Sequence, residues 1–156
     1  MGFWQRLIGG EAAEGRSPQD VLPELLASYH EEVRLARQIR EHAEHAPHQA
    51  GTQGLLAVAD AQDRVVRLLG DKIATLGGSG HDGAGPLKSG KNHWVRVVHD
   101  LEDNHALERH YNEQAIHWDP ALSDMTALFR TLEREKHQMS VLLRDIALRA
   151  DPHALN

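Results

Sequence analysis

Apolar residues recur every three or four positions through four long stretches of this chain, which is the spacing of helices that bury one face. In the first stretch they are Leu22, Leu25, Leu26, Tyr29, Val33, Ala36, Ile39 and Ala43, predicting a helix over about 18–46. Ser17-Pro18-Gln19-Asp20 supplies its start: a capping hydroxyl, a proline suited to the first turn and an acid at the positive helix end. Pro47 interrupts the pattern. A second helix gathers near Gly54, carries Leu55, Val58, Ala59, Val66, Leu69, Ile73 and Leu76, and stops at Gly77-Gly78. A third, over about 91–118, carries Trp94, Val97, Leu101, Tyr111, Ala115 and Trp118. Asp119-Pro120 opens a fourth with Leu122, Met125, Leu128, Leu132, Met139, Leu143 and Ile146, ending near Asp151-Pro152.

Helices of about 28 residues are about 42 Å long. Short connections within each pair make neighbours antiparallel, so the expected architecture is all-α, a four-helix bundle made of two helical hairpins. Residues 77–90, GGSGHDGAGPLKSG, read as a flexible link between the hairpins. Residues 1–16 and 152–156 read as tails around a bundle at 17–151. The hairpins echo each other. At an offset of 73, Pro47 matches Pro120, Leu55 matches Leu128, Val66 matches Met139 and Ile73 matches Ile146. For the first and third helices an offset of 72 is better, pairing Leu25 with Val97, Ile39 with Tyr111 and Ala43 with Ala115.

Composition narrows the function. The 156 residues make one domain, and the absence of cysteine excludes disulfides, thiolate metal sites and thiol catalysis. A net charge of −6 argues against a nucleic-acid partner. No apolar run approaches the roughly 20 residues of a transmembrane helix, and no signal peptide is visible, so a cytoplasmic location is expected. No phosphate loop, nucleotide fingerprint or nucleophile–base pair is present.

The second half carries Tyr111-x-x-x-Ala115, Asp119-Pro120-x-Leu122, Glu133-x-x-x-His137 and Leu142-Leu143. On these residues the chain resembles the ferritin-like superfamily, especially its rubrerythrin-like branch. The likeness covers about 17–150 and is strongest from Asn104 to Ile146. It implies a left-handed bundle around two metal ions, held by a Glu on helices one and three and by Glu-x-x-His on helices two and four.

A projection at 100° per residue shows what stands at those places. The first helix points Tyr29, Ala36 and Ala43 inward with Glu32 at the edge; the second points Leu55, Ala59, Gln62, Val66 and Leu69. The third points Val97, Leu101, Asn104, Glu108, Tyr111 and Ala115; the fourth points Leu128, Leu132, Glu135, Met139 and Leu142. No histidine falls at a ligand position, so a standard di-iron centre is not expected. Glu32, Gln62, Asn104, Glu108 and Glu135 instead form a predicted buried polar cluster, with Arg40 and Lys136 the nearest cations. Buried carboxylates must be paired, protonated or metal-bound. The cluster is therefore read as a hydrogen-bond network or as a site where Glu32, Glu108 and Glu135 hold an ion. An all-oxygen set suits a hard cation or manganese. Glu133 and His137 read as a solvated pair, and His42, His45 and His48 near the first hairpin turn are noted as a place where an adventitious transition metal could be captured.

Phe3, Trp4, Leu7 and Ile8 are candidates for docking on the bundle, on a partner or on a membrane surface. The expected function is a non-catalytic interaction or structural role as a homodimer without cofactor. The alternative is a metal-binding oxidoreductase or metal-storage protein with one or two iron or manganese ions in an atypical carboxylate-rich centre.

Overall fold

The computed structural model describes residues 16–81 and 85–153. The predicted tail residues Phe3, Trp4, Leu7 and Ile8 lie outside that set. A 3-10 turn, Pro18–Val21, leads into α1 (Leu22–Glu44), followed by α2 (Gln49–Thr75), α3 (His93–Trp118) and α4 (Ser123–Ala150). Local chemistry sets the ends. The Ser17 amide donates to Asp20 Oδ2 at 2.7 Å. At the end of α2, Gly77 takes φ +82° and Gly78 N–H reaches Ile73 O at 2.9 Å, a reversal that glycine makes without steric cost. Asn92 Oδ1 accepts from the Val95 amide at 2.9 Å and caps α3.

Helices α1 and α2 form one antiparallel hairpin and α3 and α4 the other. The hairpins join along an α1–α3 seam and an α2–α4 seam, both antiparallel, as shown by Glu32 opposite Tyr111 with His42 opposite Asp100, and by Gln62 opposite Lys136 with Gly54 opposite Ile146. The long link therefore crosses the bundle end to end. Its described part runs along α1: Gly80 lies against the Tyr29 ring, Gly85 against Arg34, and Lys88 against Gln38 and His42.

The interior contains the two hairpins in register. At an offset of 72, α1 and α3 bury Leu25 with Val97, Glu32 with Asn104, Leu35 with Leu107, Ile39 with Tyr111 and Ala43 with Ala115. For α2 and α4 the offset is 74: Leu55 with Phe129, Val58 with Leu132, Gln62 with Lys136, Val65 with Met139 and Leu69 with Leu143. The extra two positions come from α3, which ends at Trp118 where the α1 repeat ends at Glu44. The expected offset of 73, anchored on the two prolines, was one residue short, and one residue turns a helix by about 100°.

Candidate functional site

That slip decides what occupies the centre. Glu135 was expected there; it is only partly buried, and it makes no side-chain hydrogen bond or ion pair among the described residues. Lys136 points inward in its place and is fully buried. Its Nζ lies 2.7 Å from Glu32 Oε2 and 2.6 Å from Gln62 Oε1. Glu32, also fully buried, is central rather than marginal on α1. Its Oε1 accepts from Tyr111 Oη at 2.6 Å, and its Oε2 also accepts from Gln62 Nε2. Gln62 Nε2 further donates to the Glu32 main-chain oxygen at 3.0 Å.

Each helix thus gives one side chain to a single charged knot: Glu32 from α1, Gln62 from α2, Tyr111 from α3 and Lys136 from α4. A buried charge is tolerated only when paired and hydrogen-bonded. Here one ammonium meets one carboxylate, and both carboxylate oxygens have donors. Burial pushes the Lys136 ammonium down from its ordinary pKa, against the pull of Glu32, and pushes the Tyr111 hydroxyl well up, with the neighbouring Glu32 charge acting in the same direction.

Asn104 sits beside the knot. Its Nδ2 donates to Lys136 O and to Ser140 Oγ, each at 2.7 Å, while its Oδ1 has no partner among the described residues. Ser140 Oγ donates to Glu108 Oε2 at 3.1 Å, and Glu108 Oε1 meets His137 Nδ1 at 2.7 Å. Glu108 is therefore the edge of the network, with about a fifth of its side chain exposed, and His137 lies in solvent. The expected Glu133–His137 pair is absent: Glu133 bonds Arg130 and His137 bonds Glu108. Arg40, the other expected cation, reaches Asp63 at the surface.

A di-metal centre in such a bundle needs carboxylates and histidines converging from all four helices. The side chains that face the centre supply one carboxylate, Glu32. The α2 pair reads Gln62-x-x-Val65 and the α4 pair Lys136-x-x-Met139, with Asn104 on α3. Amides bind such ions weakly, valine does not bind them, and an ammonium repels them. Glu32, Glu108 and Glu135 do not converge, and no three His, Asp or Glu side chains among the described residues are grouped to hold a metal. The donor set does not fit the two ions.

A second polar network lies where α1, α3 and the crossover meet, and sequence reasoning did not find it. Fully buried Asp100 accepts from Gln38 Nε2 at 2.8 Å and faces His42 Nδ1 with both oxygens. Asp103 gathers Arg34 at 3.0 Å, Gln38 at 3.2 Å and the Lys88 ammonium. His42, noted from sequence as one of three histidines that could capture a metal, is buried in this network; His45 instead bonds the Glu41 carbonyl. The signal was present as Ser28 matching Asp100 at the 72-residue offset, a polar pair on the buried face.

No family model matches the sequence, and no curated protein matches it. Among solved structures, the chain is similar to the dodecameric thioferritin, the bacterioferritin-related protein from Bacteroides fragilis, with a TM-score of 0.74 over 85% of this chain and 87% of that one, at 14% identity. A likeness at that identity is a likeness of fold.

Proposed function

We propose that this ferritin-like bundle works without a di-iron centre, as a self-associating interaction or structural protein whose interior charge is supplied by Lys136. The observation that carries this reading is the ammonium 2.7 Å from Glu32 Oε2 and 2.6 Å from Gln62 Oε1, in the middle of the four helices. A metal and this ammonium compete for the same carboxylate. Support for self-association comes from α4, where Val141, Leu142 and Leu148 are each about half exposed or more, and from the groove of about 440 Å³ between the start of α2 and the end of α4, lined by Ala57, Leu142 and Ile146. The similar thioferritin is a dodecamer. The apolar tail residues Phe3, Trp4, Leu7 and Ile8 belong to the same reading, as contacts to a second copy or another protein.

Protein made in medium supplemented with iron and manganese, then analysed for metals, tests the proposal. The expected result is a trace amount unaffected by Glu32→Ala. Near-stoichiometric metal that is lost in Glu32→Ala overturns it in favour of an atypical oxidoreductase or storage centre.

A further inference from the structure

We propose that the crossover between α2 and α3 is held by a proton-dependent latch, the His42 imidazolium clamped between the Asp100 carboxylate and the main-chain carbonyl of Lys88, and that the segment 85–90 is released from α1 when that proton leaves. Burial raises the Asp100 pKa above its ordinary 3.8 while His42 and Gln38 pull it down; with that carboxyl ionised, the geometry requires the charged ring. His42 Nδ1 stands 2.9 and 3.0 Å from the two Asp100 oxygens, and Nε2 stands 2.8 Å from Lys88 O. A carbonyl and an ionised carboxylate only accept, whereas a neutral imidazole has one N–H to give. Both contacts are made together only when both ring nitrogens carry hydrogen.

The latch acts on one peptide group. The Lys88 carbonyl is held by His42, and the Lys88 amide donates to Gln38 Oε1 at 2.8 Å, one helical turn away on α1. The Lys88 side chain adds an ion pair to Asp103, which Arg34 also reaches. The charged or titratable groups that face His42 are Asp100, Arg96 and His93 on α3; the crossover presents the Lys88 carbonyl. Burial alone would lower the imidazole pKa, but the hydrogen bond and charge of Asp100, helped by the Lys88 carbonyl, outweigh it and raise the group above its ordinary 6.5, with Arg96 opposing. When the proton is lost, the remaining N–H stays on Nδ1 against the ionised Asp100. Nε2 then turns a lone pair on the Lys88 oxygen, and the contact becomes repulsive.

The sign follows from linkage. A histidine whose folded pKa exceeds its unfolded value contributes stability below the unfolded value, and that contribution is lost as pH rises through the folded one. The latch is therefore closed below 6.5 and opens as pH rises through the raised folded value of His42.

The test is an NMR titration of the His42 ring in the full chain, alongside amide hydrogen exchange at Lys88 corrected for intrinsic rate. The expected result is a shared midpoint above 6.5, with Lys88 protection falling about tenfold or more across it, the size of one charge-assisted hydrogen bond. His42→Gln, which keeps a donor but does not titrate, should give flat protection. Lys88→Ala, which keeps the main-chain contact, should retain the midpoint. Protection that stays level through the wild-type His42 midpoint overturns the latch, as does an unchanged pH profile in His42→Gln. The two wild-type curves decide the matter even if that variant does not fold.

Discussion

One residue separates Glu135 from Lys136, and the choice between them sets the character of the centre. Two stripes on α4 fit helical spacing equally well. One runs Leu128, Leu132, Glu135, Met139, Leu142, and the other Phe129, Leu132, Lys136, Met139, Leu143. Both place a single charge amid apolar residues, so periodicity alone could not choose. Burial chooses the second, which leaves Leu142 48% exposed. Glu32, Gln62 and Asn104 were legible as interior polar groups because each interrupts an apolar stripe; Lys136 was legible as a nearby cation, but not as the residue that points inward in place of Glu135. Removing one partner of such a pair strands the other charge. Glu32→Ala is expected to lose about 3–5 kcal/mol in denaturant unfolding, while the paired replacement Glu32→Gln with Lys136→Met is expected to cost far less than the sum of its parts. Additive costs in that double-mutant cycle would show that the two groups do not depend on each other.

The two seams between hairpins differ in chemistry. The α2–α4 seam is apolar around its buried Gln62–Lys136 contact and uses small residues: a Cβ at Gly54 would come within 3.1 Å of Ile146 Cδ1. The α1–α3 seam is stitched by polar side chains, with His110 on Glu24 at one end, Arg34 on Asp103 midway and His42 on Asp100 at the other. Asp103 feels burial, which raises its pKa, but hydrogen bonds from Lys88, Arg34 and Gln38 outweigh this and hold it below the ordinary 3.8. A depressed carboxylate contributes stability above its unfolded pKa that is lost as pH falls through the folded one. Stability is expected to drop below pH 3.8, and Asp103→Asn should flatten that part of a pH–stability curve relative to wild type. The crossover itself depends on close approach: a Cβ at Gly80 would stand 2.5 Å from the Tyr29 ring. Gly80→Ala should cost about 1–3 kcal/mol, the usual range for overpacking, with much of it recovered in a Tyr29→Ala background. The four helices and their order were legible because the apolar period recurs along each, on both sides of the buried polar groups that interrupt it. The path of the crossover was not, since its contacts with Tyr29, Arg34, Gln38 and His42 follow from where two hairpins dock, not from any local pattern.

At the scale of the whole molecule, the outer face of α4 carries more apolar surface than its interior role requires. Val141 is 50% exposed and Leu148 65%. If that face joins copies, light scattering should find a multimer in the wild type and a shift toward monomer in a Val141→Asp, Leu142→Asp double variant, with helical content unchanged in circular dichroism. A monomeric wild type at micromolar concentration would remove the self-association part of the proposal while leaving the Lys136 argument untouched. No helix among the described residues is long and apolar enough to cross a membrane.

The ammonium at the heart of the bundle is tethered to the chain by four methylenes. It arrives with every newly synthesised copy, so iron starvation does not limit it and chelators do not strip it. On the proposed reading, closure of the four helices is uncoupled from metal supply, and the same tether denies the centre any exchange of its cation with the surroundings.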